Sequence, residues 1–552
     1  MRESWAPRVL VVAFLTAALV AFTAAATAKP PPGPPGHAQG KAKGMQHGQG
    51  PKDWGPKPGK GPGKQIGARS LDDPLFPQIG NGGYDVLHYE IALDYDPEAN
   101  VFHRGTKTTI TAEATQKLRQ FSLDFQDLDV SKVKVNGRSA RFSQEEAEPP
   151  LSDNPDVTQP MKLIVDPAPP ARPKKGREFV VEVAYSGEPQ HVTDPDTSSE
   201  GWIRACYPLE PPQTCDGAFV VDEPIGAQSW FPGNNYPTDK ATFDTIITVP
   251  EGKTAFGVGE LVSQTPNGDG TATWHWHEDD PTATYLTTGT VGDFDLTQTE
   301  MTEASTGETL EVYDAIDSSA TQAQKDAINV TLARAPEQLN FLSDLLGPYP
   351  FDSTGAVADR AAGVGYALEV QTKAHYAGNF VTGAPSVNIN TQLHEIGHQW
   401  IGNSVSPATW HEIWFNEGWA TWLTWYWAFE ANGSATSPAD QFDANYTPGT
   451  KWDVAPAVLD GDPANLFSTF PVYTRSAMMI EGYRQIVGDE LFFAFVRELV
   501  DRFAYGNVSG EEFVGLALEM SGLGGGDVDL LADYFDQWLF LEGQPTILPE
   551  DF

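Results

Sequence analysis

An α+β fold is predicted for this chain: an amino-terminal β-sandwich or saddle-like domain followed by a mainly helical one. Three observations predict it. Residues from about 72 to 294 form short runs of alternating polar and apolar residues separated by Gly, Pro, Asn and Asp, the pattern of strands joined by turns. Beyond them the apolar residues recur at helical spacing, most clearly over 321–346 and from 476 onward. The 552 residues, 40% of them apolar and 15 of them tryptophan, suffice for more than one packed core, which excludes a disordered chain.

The first residues stand outside that fold. Arg2 and Arg8 precede an apolar run from Val9 to Ala26, and Ala26-Thr27-Ala28 offers an A-x-A cleavage site, so residues 1–28 read as a signal peptide and the mature protein as secreted, extracellular. The other reading, an uncleaved membrane anchor, calls for basic residues after the run, where small ones stand. No later apolar run approaches twenty residues, so no integral membrane segment is expected after cleavage.

Residues 29–70 are dominated by Pro, Gly, Lys and Gln, as in Lys57-Pro58-Gly59-Lys60-Gly61-Pro62-Gly63-Lys64. Such composition buries too little apolar surface to offset the entropy of ordering, and a flexible basic tether is expected. It can make weak contact with acidic cell-envelope polymers, although a plain solvated linker needs no partner. Charge is segregated: residues 1–70 hold ten of the 35 basic and two of the 75 acidic side chains, which leaves 25 basic against 73 acidic, a net −48, on the rest. A body so acidic does not bind nucleic acid by neutralising its backbone.

The folded part divides into residues 71–296, the β domain, and 297–552, the helical domain. Val86 to Tyr95, Thr108 to Ala112 and Phe179 to Tyr185 alternate as strands. Cys206 and Cys215, the two cysteines of the chain, form in an exported protein a disulfide closing a short loop, a redox pair being the alternative. His88, His103, His191, His275 and His277 show no mutual ligand spacing, and His275 and His277 flank Trp276 on one strand face as a surface ladder. Farther on, Thr309 to Tyr313 is a strand, Thr321 to Leu346 a helical stretch stopped by Gly347-Pro348, and Tyr366 to Thr372 an extended edge. Four more helices follow over 476–487, 490–503, 511–520 and 528–541.

Between them lies the stretch that carries chemistry. In His394-Glu395-Ile396-Gly397-His398 the two histidines are one helical turn apart and can converge on one tetrahedral Zn²⁺. Glu417, in a second helical segment from Glu412 to Phe429, can supply a third ligand and leave the fourth position to water. Glu395, turned about 100° around the helix from His394, points beside the metal, as a general base for that water must.

These residues resemble the aminopeptidase N family of zinc metallopeptidases, gluzincins that also include leukotriene A4 hydrolase. The resemblance covers most of residues 72–545. The spacing of His394, His398 and Glu417 is the family's own, and Tyr366-Ala367-Leu368-Glu369-Val370 occupies the place of its Gly-x-Met-Glu-Asn motif. Val472-Tyr473-Thr474-Arg475 stands where the family has its catalytic tyrosine, while Trp230-Phe231-Pro232 and Lys240-Ala241-Thr242-Phe243 match its amino-terminal domain. The departures are Tyr366 and Val370 for Gly and Asn, Arg475-Ser476 for Lys-Gly, and Gly233-Asn234-Asn235-Tyr236-Pro237 for a Cys-x-Asp-Glu-Pro run.

The resemblance implies a thermolysin-like, mainly helical zinc metallopeptidase domain with one Zn²⁺ per chain, and peptide substrates with a free amino terminus. It further implies that Tyr473 stabilises the oxyanion and that Glu369 binds the substrate's amine, with Glu223 as a second amine contact. A zinc endopeptidase or epoxide hydrolase is the alternative if Glu369 points away from the metal. A non-catalytic binding protein is the alternative from another class.

Overall fold

The computed structural model describes residues 65–207, 213–361, 364–377 and 388–552. The signal peptide expected at 1–28 and all but the last residues of the tether expected at 29–70 lie outside the described residues.

Alternation builds the amino-terminal domain. In the strand Ala241–Pro250 every second side chain is buried, and Tyr84–Asp96 and Thr271–Thr282 largely repeat the pattern, so one face of each strand enters the core while the other meets solvent. These strands lie in a nine-stranded sheet whose main path runs Glu260–Pro266, Thr271–Thr282, Ala241–Pro250, Tyr84–Asp96, Lys107–Ala114, Glu178–Ser186, Asp129–Val135, Arg138–Ser139. A five-stranded sheet shares its core: His191–Thr193, Ser199–Tyr207, Thr214–Val221, Val291–Gly292 and Thr254–Ala255. Trp202 and Phe219 from the second sheet pack in one cluster with Tyr89, Phe243 and Trp276 from the first. A disulfide joins Cys206 to Cys215 across the hairpin of Ser199–Tyr207 and Thr214–Val221.

The histidines differ from a simple ladder. His275 Nε2 and His277 Nδ1 lie 2.7 and 3.0 Å from Asp244 Oδ1, and His88 Nε2 lies 3.2 Å from Oδ2. Three strands contribute, so pairing across the sheet gathers what sequence spacing scatters.

The carboxy-terminal domain opens on a mixed sheet ordered Phe294–Thr302, Thr309–Asp317, Ser353–Ala358, Ala374–Tyr376, Ala367–Leu368, the last at its edge. The helices are α1 (Gln322–Leu332), α2 (Ala335–Leu346), α3 (Ile389–His398), α4 (Trp414–Glu430), α5 (Pro438–Asn445), α6 (Ser476–Val487), α7 (Asp489–Phe503), α8 (Gly510–Met520) and α9 (Gly526–Phe535). The helical pattern over 321–346 predicts one helix, and the structure has two. Pro336, in the first turn of α2, lacks an N–H and its ring excludes the carbonyl four residues back, so α1 must end before it.

The helical pattern over 528–541 likewise ends early, at Phe535, and continues as a wider turn through Phe540. There the buried Arg475 guanidinium takes the carbonyls of Gln537, Trp538 and Leu541 at 2.7–3.0 Å, bonds that replace part of the helical ladder. The core of this domain is aromatic: Trp400, Trp414, Trp419, Trp422, Trp427 and Trp538 are buried together. Because α4 is apolar on most sides, it is enclosed by its neighbours and its few polar groups are held in fixed places. Among the described residues no helix is long and apolar enough to cross a membrane.

Candidate metal centre and active site

Helix α3 starts at Asn388, whose side chain accepts from the Asn390 N–H at 3.1 Å and so satisfies one of the helix's free donors. One turn later in phase, His394 and His398 present their rings on the same face, centroids 4.7 Å apart. Helix α4 crosses α3 and brings Glu417, whose Oε2 lies 3.0 Å from His394 Nε2 and 3.6 Å from His398 Nε2. Close packing behind α4 requires Gly418: a Cβ there would lie 2.5 Å from the Cβ of Ser476 on α6. Against burial, which alone would raise it, the His398 and His394 rings hold the Glu417 carboxyl down at about 2.

The donor set fits a divalent transition metal. Two imidazole nitrogens and one carboxylate oxygen lie within 4.8 Å of one another, the composition of a three-ligand zinc site with an open position. His398 Nδ1 faces the carbonyl of Ile401 at 3.2 Å, which assigns its proton to Nδ1 and leaves Nε2 free to ligate. His398 also comes within 4.8 Å of carboxylate oxygens of Glu369 and Glu395, so two imidazoles and three carboxylates form one continuous cluster. Burial pushes the Glu395 carboxyl well above its ordinary value, opposed by His398 and reinforced by Glu369 and Glu417.

Glu369 follows the edge strand Ala367–Leu368 and is 2% exposed. Its carbonyl accepts from Asn403 Nδ2 at 2.7 Å and Gln399 Nε2 at 3.2 Å, two amides just beyond the end of α3, so the metal helix itself fixes where Glu369 sits. Glu223 comes from the other domain, after the strand Thr214–Val221. Both carboxylates keep one buried oxygen, Oε1, without a hydrogen-bond partner among the described residues. Tyr473 lies in a wide turn, Thr469–Arg475, leading into α6, and its ring stacks on that of His394 at 6.2 Å. Burial raises its hydroxyl well above the usual range, which keeps it a hydrogen-bond donor.

All seven of these side chains line one cavity of about 490 Å³. Sequence reasoning does not find three of its other walls: Asp196 and Ser198, from the turn between His191–Thr193 and Ser199–Tyr207, and Trp425 on α4. No local spacing marks the first two, because a hairpin of the β domain carries them in. Trp425 stands two turns beyond Glu417 on the same helix, a relation that helical phase makes available.

Comparison with known proteins places these features. The model of the peptidase M1 N-terminal domain matches residues 86–286, and that of the peptidase family M1 domain matches residues 384–538. Aminopeptidase M1-C of Oryza sativa subsp. japonica is 26% identical over 363 residues, 63% of this chain and 39% of that protein. Leukotriene A-4 hydrolase of Xenopus laevis is 22% identical over 457 residues, 78% and 67% of the two chains. The chain thus spans about two-fifths of the length of the rice aminopeptidases it matches. The crystal structure of an M1 zinc metallopeptidase from Deinococcus radiodurans shares the fold, with a TM-score of 0.71 at 24% identity over 87% of this chain and 98% of that one. A variant of that protein bound to a Tyr-Ser-Ala substrate gives 0.70 at the same identity, over 87% and 99%. Both halves of the fold are matched in the order in which they occur, and the chain belongs to the peptidase M1 family.

Proposed function

We propose that this protein is a secreted zinc aminopeptidase that hydrolyses the first peptide bond of peptides with a free amino terminus. One observation carries the reading: Glu223 and Glu369, each with a buried carboxylate oxygen that has no partner among the described residues, both line the cavity that holds His394, His398 and Glu417. A buried, unpaired carboxylate is costly, and a substrate ammonium is the ligand that offsets the cost.

In this reading His394, His398 and Glu417 hold one zinc ion, which when bound acidifies a water and polarises the scissile carbonyl. Glu395 takes a proton from the attacking water and returns it to the leaving amine. Tyr473 donates to the oxygen on which negative charge develops. Glu369 and Glu223 receive the α-ammonium, and this fixed distance admits the first peptide bond and no later one. Export rests on the signal peptide pattern of residues 1–28, and the basic tether serves as a spacer.

The test is hydrolysis of amino-acid arylamides and short peptides by the purified mature chain, with and without a chelator, beside the same peptides acetylated at the amino terminus. Chelator-sensitive release of the first residue from free peptides alone is expected. Cleavage of the acetylated peptides would move the reading to an endopeptidase, and zinc bound without turnover would move it to a binding protein.

A further inference from the structure

The two carboxylates assigned to the substrate's amine belong to different domains. Their separation has to match one ammonium group, yet each has an oxygen with no bond to hold it. The backbone must therefore set the spacing, and the contacts that do so converge on two residues, Ser199 and Glu200, at the start of the strand Ser199–Tyr207.

From the Glu369 side, Tyr366 donates its hydroxyl to the carbonyl of Ser199 at 2.7 Å. Two residues separate Tyr366 from Glu369, and Tyr366 itself lines the cavity. From the Glu223 side, the Glu200 carboxylate accepts from the N–H of Ile225 at 3.1 Å and of Gly226 at 3.0 Å, which ties down the turn directly after Glu223-Pro224. Glu200 is 1% exposed and Asp194, beside it, 3%. Their carboxyl groups hydrogen-bond to each other, so Asp194 braces Glu200 from the hairpin turn. The backbones also touch: a Cβ on Gly226 would lie 2.4 Å from the amide nitrogen of Gly201. Nothing but glycine fits at that crossing, and the turn carrying Glu223 is pressed against the strand carrying Glu200.

We propose that Tyr366, Ser199 and Glu200 form a strut between the domains that sets the distance from Glu223 to Glu369, which makes Tyr366 and Glu200 positioning residues for capture of the substrate's α-ammonium. The inference rests on the aminopeptidase reading above. It also gives a role to a departure from the family motif, since Tyr366 stands in the place of a glycine that has no hydroxyl to donate.

The experiment compares the zinc-loaded full chain with Tyr366→Phe, Glu200→Ala and Glu200→Gln. Each is assayed on a leucine arylamide, with leucinamide as an amine-bearing inhibitor and acetohydroxamate as a metal ligand that carries no amine. An ammonium contact made equally in ground and transition states acts on KM. Loss of one hydrogen bond in the strut should raise KM, and weaken leucinamide, by about 3- to 10-fold in Tyr366→Phe. Glu200→Ala should do so by more than about 10-fold, because two N–H groups lose their acceptor. Glu200→Gln, which keeps an acceptor oxygen, should recover most of that loss, and acetohydroxamate should bind all four proteins alike.

Unchanged KM and leucinamide binding in Tyr366→Phe, which leaves packing intact, would overturn the strut. Equal weakening of acetohydroxamate would also overturn it, since the effect would then be general damage to the site. An unmodified chain that releases no first residue would instead sink the aminopeptidase reading itself, a result distinct from either.

Discussion

Replacing Lys162 by methionine tests whether a buried ion pair holds the floor under the Glu223 turn. Lys162 and Asp124 have side chains 1% and 0% exposed, with Nζ 2.5 Å from Oδ1. Burial pushes the Lys162 ammonium below its usual range, and Asp124 opposes the shift. Lys162 also donates to the carbonyl of Gly80 at 2.9 Å. The other Asp124 oxygen accepts from Asn81 Nδ2 at 2.7 Å and from the N–H of Asn235 at 3.0 Å. Asn235 in turn donates from Nδ2 to the carbonyl of Ile225 at 2.9 Å, two residues past Glu223. Lys162→Met removes the cation and leaves the carboxylate buried among neutral donors, which costs about 3–5 kcal/mol when one partner of such a pair is deleted. The double variant Lys162→Met, Asp124→Asn removes the stranded charge as well and should recover more than half of the loss, because the penalty is that of an uncompensated ion rather than of a lost attraction. Urea unfolding followed by tryptophan fluorescence measures both. A loss below about 1 kcal/mol in the single variant, or a double variant no more stable than the single, would refute the reasoning.

Three further outcomes are expected. Glu395→Gln should lower kcat by about 10²- to 10⁴-fold, the usual contribution of a general base, while elemental analysis still finds one zinc per chain; loss of the metal would reassign Glu395 to the ligand set. Replacing Cys206 and Cys215 by serine should cost about 2–3 kcal/mol, the chain entropy of a loop this short, with activity at 25 °C retained, and no change in the urea midpoint would show that the hairpin needs no bridge. Stability should fall between about pH 5 and 8. Burial raises Asp194 and Glu278 to about 8, and Asp280, Asp314 and Glu412 to about 7. The folded chain therefore keeps protons there that the unfolded chain, with carboxyls near 4, has released, and ∂ΔG/∂pH is negative across that window. A melting temperature that rises from pH 5 to 8 would contradict it, and Asp314→Asn should flatten the slope.

What could be read from the sequence follows a rule of distance. The phase of α3 and α4 places His394, His398 and Glu417 on inward faces because a helix repeats every 3.6 residues, so ligand spacing survives translation into one dimension. Strand alternation survives for the same reason, and the division into a β domain and a helical domain is visible in it. Arg475 shows what does not survive. In the sequence it is a substitution for lysine two residues after a tyrosine, whereas in the fold its guanidinium binds carbonyls on both sides of it, Val454 at 3.0 Å and Leu541 at 2.7 Å, and so ties down the wide turn after α9. Those partners lie 21 and 66 residues away, and no periodicity reports them.

The two residues that the family resemblance proposes for the amine, Glu369 and Glu223, differ in how far the chain itself marks them. Glu369 lies close in the chain to α3, and Gln399 and Asn403 just past that helix clasp its carbonyl, so a motif before the metal helix can mark it. Glu223 and Asp196 belong to the β domain and line the cavity, and the two domains share an apolar cluster, in which Trp202 and Phe219 of one pack with Tyr313, Leu368 and Val370 of the other. A carboxylate that must meet an ammonium within hydrogen-bond reach cannot rely on apolar contact alone, which tolerates sliding. Directional bonds such as Tyr366 to Ser199 and Glu200 to Ile225 are what such a junction needs. The metal half of the site can thus be built by one pair of helices, whereas the half proposed to receive a free amino terminus draws Glu223 from one domain and Glu369 from the other.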